Sequence, residues 1–539
     1  QSARMVVRNV TVTSTNTYAL YLASFPLVAG SSLEILNCNI KTTSSHAVYL
    51  TSSFISDGSR LVFEDSSLIA AYGLYLANYQ LNTGGLMYAR RTTFSATSTS
   101  YYTMYVLGSG GQIDHDGSNR HVTGQIFIQF NTPSSNNLFI LNQSNPYTVT
   151  YQQTSAAHVV TNCTIAILGS SLQTLAVTSP GPTTFFDFRV ERSSVYTSTW
   201  SSGVTSNTTV TASALTGSYW YVYGTTTKDM NATVLDSTIS IAYYLSISDA
   251  QDGTLLVVNR STVGYSYLLG KMTGRASYII DQTTVTTTNM YAMYNNAVYT
   301  DALYEVRRSV VKSTSNFAVY VNAQIYGTSV HRYVDNTLQS TYTGTVSYTY
   351  PPGQGALCYY YTYAQFNVGS VLEIDRNNMI VIPTGAFGLY VRMNGGRLQH
   401  TTSKYSGGQA LVYHDAAANA NNVMVVEDSS LYQLYVYRAD THVTSNDLMV
   451  ARRCSISYLY FYLGKSNGTS AGIEDTTATY TYLYGGLTGN ATMWYSRSSS
   501  NTLQYTFSNI DSSQFNVLNG TTVYLYINAK FLRMEPTVR

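Results

Sequence analysis

Residues 61–68 read LVFEDSSL, residues 86–94 LMYARRTTF, residues 424–431 MVVEDSSL and residues 448–456 LMVARRCSI. All four follow one phrase: apolar, any, apolar, two polar residues, a small residue, any, apolar. The phrase returns as LLVVNRSTV from Leu255 and YIIDQTTV from Tyr278, and more loosely as LEILNCNI from Leu33, VVTNCTI from Val159, FRVERSSV from Phe188, TVLDSTI from Thr233 and LEIDRNNM from Leu372. A second apolar strip follows at a distance, as in YGLYLANY (72–79), YTMYVL (102–107), NFAVYV (316–321), FGLYV (387–391) and LYVY (434–437). Well-defined copies lie about 22 to 28 residues apart, the signature of an internal repeat.

The alternation has period two and is rich in β-branched and aromatic residues, which specifies strands and not helices. A unit this short cannot enclose a core, so neighbours must stack. Propeller blades need about 40 residues or more, and the Leu and Asn frame of leucine-rich repeats is missing. The expected fold is therefore all-β: one continuous right-handed parallel β-helix over residues 1–539, of roughly 20 coils at about 4.8 Å per coil. Two stretches that break the rhythm, near 107–158 and 340–370, are expected to be enlarged loops on its side.

Composition limits what such a solenoid can do. Charged residues make up 10% of the 539 residues and the formal net charge is +2, so nothing favours nucleic acid or an anionic membrane. Ser, Thr, Asn and 51 Tyr supply the polar surface instead. No run reaches the roughly 20 apolar residues of a membrane span. The chain opens on Gln1, as a processed or excised piece of a longer precursor would.

Stacked coils place equivalent residues over one another. Glu64 and Asp65 fall where the next coil has Arg90 and Arg91; Glu427 and Asp428 precede Arg452 and Arg453, which precede Glu474 and Asp475; Asp281 precedes Arg307. Acid over base is a charge ladder that fixes register. Cys38, Cys163 and Cys454 share the small-residue slot with Ser66, so all four are expected at equivalent inward corners, too far apart for disulfides. Cys358 lies in the irregular stretch.

Sites for chemistry are sparse. Asp114, Asp116 and Ser118, in DHDGSN, offer oxygen ligands for calcium, but the remaining ligand positions and the terminal bidentate Glu are missing, and the segment reads as a hydrogen-bonded turn. Gln112-Ile113-Asp114-His115 is similar to the Trp-Ile-Asp-His strip of pectate lyases without its Trp, so a carbohydrate-active enzyme of that kind, with a site from Asp114 to His121, is the alternative to a non-catalytic protein. The paired carboxylates do not stand as a glycosidase needs, and the histidines form no triad or metal motif. No catalytic residue, metal or cofactor is expected. Sequons at Asn9, Asn142, Asn162, Asn207, Asn231, Asn259, Asn467, Asn490 and Asn519 suggest glycosylation in a secretory compartment. Tyrosine alternates in YLYFYL (458–463), TYTYLY (479–484), LYQLYVY (431–437) and TVYLYI (522–527), so one set faces out as a strip suited to a fibre or a glycan.

The phrases VVEDSSL (425–431), ARRCSI (451–456) and NVTVTSTNTYALYL (9–22) resemble the dispersed gene family of trypanosomes and similar giant surface proteins of kinetoplastid flagellates. The resemblance implies a secreted or surface-anchored, N-glycosylated β-helical protein acting in adhesion, with no catalytic residues to carry over. That family's C-terminal membrane segments and Cys-rich region have no counterpart here, as in an excised ectodomain or a related extracellular fibre. An open stack exposes unpaired edges, and head-to-tail assembly is expected between Met5 and Val7 of one copy and Tyr524, Tyr526 and Phe531 of another.

Overall fold

A computed structural model describes residues 2–288, 291–315, 317–341, 359–381, 387–406, 409–414, 421–438, 443–488, 491–508, 514–517 and 522–527. Among them every regular element is a strand and there is no helix; parallel strands stack as a β-solenoid of about 17 turns, close to the number expected. The chain divides into two compact units, Gln1–Thr262 and Val263–Arg539, each built from the same coil.

In the first unit a coil has three walls. The first wall holds Ser32–Leu36, Arg60–Glu64 and Leu86–Arg90, the second Asn39–Thr42, Ser67–Ala70 and Thr93–Ala96, the third His46–Ile55, Tyr72–Asn82 and Tyr102–Ser109. Each strand pairs in parallel with its equivalent one coil on, so that Leu33 lies beside Leu61 and Leu61 beside Met87. Alternate side chains turn inward, and Leu33, Ile35, Leu61, Phe63 and Leu68 are fully enclosed. The second unit repeats the rule along Leu303–Arg307, Val330–Val334, Val371–Asp375, Arg397–Thr401 and Val423–Glu427. Its interior also takes whole tyrosines: Tyr278, Tyr299, Tyr304 and Tyr333 are buried.

The corner between first and second walls is made by the polar–polar–small part of the phrase. Its second polar residue adopts the left-handed region, with φ between 46° and 56° at Asp65, Arg91, Asp236, Arg260, Arg308, Asp335, Asp428 and Arg453. That conformation costs a non-glycine residue about 1 kcal/mol or more. It also turns the next side chain into the core, where the sharp bend has left backbone groups that need partners. Ser309 shows how they are met: its Oγ donates to the Arg307 carbonyl at 2.7 Å and accepts the Thr283 N–H of the previous coil at 3.1 Å. The rung repeats upward. Ser309 N–H donates to Asn336 Oδ1, Asn336 N–H to Asn377 Oδ1, Asn377 N–H to Ser403 Oγ and Ser403 N–H to Ser429 Oγ, all within 3.2 Å. Ser144, Ser170 and Ser193 form the same buried column in the first unit.

Two expectations change. Residues 107–158 are wall, not a side loop: Gln112–His115, Gln125–Phe130, Leu138–Asn142 and Thr148–Gln153 pair in register with their neighbours. The Gly- and Asn-rich pieces that suggested a loop are corners, with Gly110 at φ 89° and Asn136 at φ 56°. Cys163 is buried, as are Cys38 and Cys454, and all three are free thiols. Cys163, however, follows left-handed Asn162 at the corner before the first wall, whereas Cys38, Ser66 and Cys454 follow Asn37, Asp65 and Arg453 at the corner after it. Both corners use a left-handed residue and a small inward one, so TNCTI imitates LNCNI. The other irregular stretch does interrupt the period: Asn336 N–H reaches Asn377 across 41 residues, against 26 for the next rung. Residues 342–358, Cys358 with them, lie outside the described residues.

Replacing Ser309 by alanine removes the acceptor of the Thr283 N–H at the core, while the Arg307 carbonyl keeps the Gln282 N–H, and is expected to cost about 1–3 kcal/mol. Ser309→Thr, the residue found at 283 and 476, is expected to be tolerated. Urea unfolding of both variants checks this; equal midpoints would contradict it.

Candidate functional site

The left-handed corners project alternating charges. Arg91 Nε donates to Asp65 Oδ1 at 2.6 Å and its Nη2 to Glu64 Oε1 at 2.5 Å. Arg260 meets Asp236, Arg376 meets Asp335, Arg453 meets Asp428 and Arg497 meets Asp475, each through both carboxylate oxygens. Both members of every such pair are left-handed residues. The neighbouring column is looser. Arg452 Nη2 reaches Glu427 Oε2 at 2.8 Å and Arg307 Nε reaches Asp281 Oδ2 at 3.1 Å. Arg90, though paired through its backbone with Glu64, instead lies 3.6 Å from Asp116 of the following coil. The pairs between left-handed corners are half exposed and of the kind that fixes register while adding little stability, whereas Asp281 is buried beneath its arginines.

The stretch from Asp114 to His121 splits across the wall. Asp116 Oδ1 accepts the Ser118 N–H at 2.8 Å and the Ser118 hydroxyl, a self-capped turn, while the Asn119 side chain turns inward to bond Ala89 O and Asp116 O. Asp114 sits on the outer face of Gln112–His115, its carboxyl held above the ordinary value by partial burial and by Asp116. His115 and His121 are fully enclosed, with their Nε2 atoms 2.8 Å apart. His115 Nδ1 faces the Ile140 carbonyl at 3.2 Å; a carbonyl only accepts, so Nδ1 carries the proton, and His121 Nε2–H donates to His115 Nε2. Thr103 Oγ1 stands 2.9 Å from His121 Nδ1. Burial pushes His115 down to about 4 and His121 well below its usual value. These imidazoles are core groups that no substrate can reach. Among the described residues no three His, Cys, Asp or Glu side chains gather to hold a metal ion, and no helix is long and apolar enough to cross a membrane.

Tyrosine rings form an organised outer surface among the described residues. In the second unit Tyr458, Tyr460 and Tyr462 stand over Tyr480, Tyr482 and Tyr484, with ring centroids 5.0, 4.7 and 4.8 Å apart and planes within 18° of parallel. Tyr435 stacks on Tyr460 at 4.2 Å. Along each strand the rings are 6.3 to 6.5 Å apart, so the array is a flat grid. Packing among neighbours keeps the phenols of Tyr435, Tyr462 and Tyr484 above their ordinary value. The first unit carries a column through Tyr21, Tyr49, Tyr75, Tyr105 and Phe127, at 4.6 to 5.7 Å.

A groove that the sequence reading missed runs along the bend between second and third walls of the first unit, lined from Thr99 to Ser240, with a volume of about 500 Å³. Its counterpart in the second unit is lined from Tyr405 to Thr479. The repeat phrase ends on its inner row and floor, at Ser194 and Val195 or Ser455 and Ile456, but the outer row begins one residue beyond the phrase, where the sequence varies.

The sequons occupy several settings. Asn9, Asn162, Asn207, Asn231 and Asn467 are exposed, and Asn142 and Asn259 half-buried. The Asn162 Nδ2, the atom a glycan would occupy, donates to Asn136 Oδ1 at 2.7 Å. Asn490 and Asn519 lie outside the described residues, as does Phe531. Met5 and Val7 are half-buried on Arg4–Arg8, which pairs with Ser32–Leu36, and Tyr524 and Tyr526 lie on the strand Thr522–Ile527. Comparison with known families, with curated proteins and with solved structures finds no match.

Two measurements follow from the electrostatics. At low salt Arg453→Asp is expected to lower the unfolding midpoint and the double reversal Asp428→Arg/Arg453→Asp to recover part of it, with both effects shrinking in 1 M salt as screening shortens to about 3 Å; a salt-independent loss would contradict this. Burial pushes His400, like His115, to about 4, and His331 to about 3, against about 6.5 in an unfolded chain. Between about pH 6.5 and 4 the unfolded chain therefore binds protons that the folded one refuses, and stability falls as pH is lowered through that window. A thermal midpoint that stays level from pH 7 to 4.5 would contradict the burial.

Proposed function

We propose that this chain is a non-catalytic structural and adhesive β-solenoid of an extracellular surface, and that its tyrosine wall is the adhesive face. The observation that carries the reading is the grid of Tyr435, Tyr458, Tyr460, Tyr462, Tyr480, Tyr482 and Tyr484, half-buried rings held parallel at fixed spacings. Tyrosine offers a broad apolar face and a hydroxyl with only two side-chain torsions to fix, so a preformed array loses little entropy on contact. Such a grid is flat, matches a flat partner and carries no charge, which suits the surface of an insoluble neutral polysaccharide better than a nucleic acid or an ionic lipid. The sparse charge and the exposed sequons support an extracellular setting.

The test is adsorption of the purified chain to washed cellulose and chitin particles. Retention of the parent, and its loss in Tyr460→Ser/Tyr482→Ser with an unchanged β-sheet circular dichroism spectrum, is the expected result. No retention on either solid, or equal retention of the variant, would overturn the reading.

A further inference from the structure

We infer that the groove of the first unit binds a single linear, uncharged β-1,4-linked glycan chain lying along the solenoid. The inference goes beyond the adhesive reading, since it concerns another face and a soluble ligand. Counting from the left-handed corner residues Gln143, Gly169, Arg192, Ala214 and Asp236, the fourth residue on is in turn Tyr147, Gln173, Tyr196, Ser218 and Ser240, a continuous row along the groove. A second row, two residues nearer the corner, is Asn145, Ser171, Ser194 and Thr216. Between them the floor is apolar, with Pro146, Leu172 and Val195 buried. The walls therefore offer hydroxyls and amides that can both donate and accept, over a dry floor and without a charge. A neutral sugar chain meets those terms, whereas an anionic one would find no cation there.

The spacing selects the linkage. Coils stack at about 4.8 Å, close to the length a β-linked hexose chain gains per sugar. Tyr147 and Tyr196 stand two coils apart, with Gln173 between. In a β-1,4 chain alternate sugars present the same face, so both rings can stack on equivalent C–H faces, which the negative ring faces favour. Both are free to do so, with 45% and 46% of their surface exposed. Tyr196 is braced edge-on by Tyr219 at 5.8 Å.

The second unit repeats the arrangement independently. Ser406, Tyr432, Ser457 and Thr479 hold the same fourth position after Thr402, Asp428, Arg453 and Asp475. Tyr432 is again exposed and braced edge-on, by Tyr458 of the next coil at 5.6 Å. The row and its braced ring thus return at the same repeat position, with a single tyrosine, Tyr432, where the first unit has Tyr147 and Tyr196.

Isothermal titration of the purified chain with cellohexaose, chitohexaose, laminarihexaose (β-1,3) and hexagalacturonate decides the matter. The expected result is binding of a β-1,4 neutral hexamer more tightly than of its dimer, of the β-1,3 hexamer or of the acidic one. Tyr147→Ala and Tyr196→Ala are each expected to weaken it by about tenfold, and Tyr147→Phe and Tyr196→Phe to retain it. Tyr460→Ser/Tyr482→Ser, which tests the adhesive wall, is expected to leave it unchanged. Absence of binding at millimolar hexamer, equal binding of dimer and hexamer, or insensitivity to both alanine variants would overturn the groove and leave the adhesive reading standing. Failure of the parent chain to adsorb to either particle, with hexamer binding intact, would do the reverse.

Discussion

The structure depends on a corner that would be unstable alone. A non-glycine residue in the left-handed region turns the chain sharply enough to begin a new wall, at a cost of about 1 kcal/mol or more, and directs backbone groups at the core. A buried donor left unpaired costs about 1–3 kcal/mol, so the corner persists only if the next coil supplies an acceptor. The small residue of the phrase does so: Ser309, Ser403 and Ser429 each bond a carbonyl of their own coil and accept an N–H from the coil before. Asn336 and Asn377 serve the column with an amide oxygen. Each coil completes its neighbour, and apolar side chains between the walls then bury in files.

Once register is fixed from within, the outer surface becomes periodic. Left-handed Asp falls beneath left-handed Arg at 65/91, 236/260, 335/376, 428/453 and 475/497. Tyrosines of successive third walls align into columns, and hydroxyls and amides line the bend. Magnitudes decide which of these features holds the fold. The ion pairs are half exposed and screened, so the buried hydroxyl column and the apolar files carry stability, while the charges discourage a slipped register in which like would meet like.

Strand period, repeat length and parallel stacking were legible in the sequence because the phrase from 61 to 68 recurs with its polar and apolar positions intact. The acid-over-base ladder was legible too, although the main rung joins Asp65 to Arg91, both left-handed corner residues, and not Glu64 to Arg90, which turns to Asp116. Residues 107–158 misled because Gly110 and Asn136 look like loop residues, and corner chemistry uses the same residue types as loops. Cys163 misled because two different corners share one local solution. The pairing of His115 with His121 and the groove beside Tyr147 and Tyr196 arise only when distant coil positions stack, and no local pattern announces them.

Amide hydrogen exchange, resolved to single residues, tests most directly whether the corner column holds the solenoid. The amides of Thr283, Asn377 and Thr476 sit at a turn, where exchange is ordinarily fast, yet each donates into the core to Ser309, Ser403 and Ser498. The account predicts that they exchange as slowly as amides of the adjoining strands and that Ser309→Ala frees Thr283 selectively. Exchange of these three amides at the rate of open turns, with the strands still protected, would contradict it.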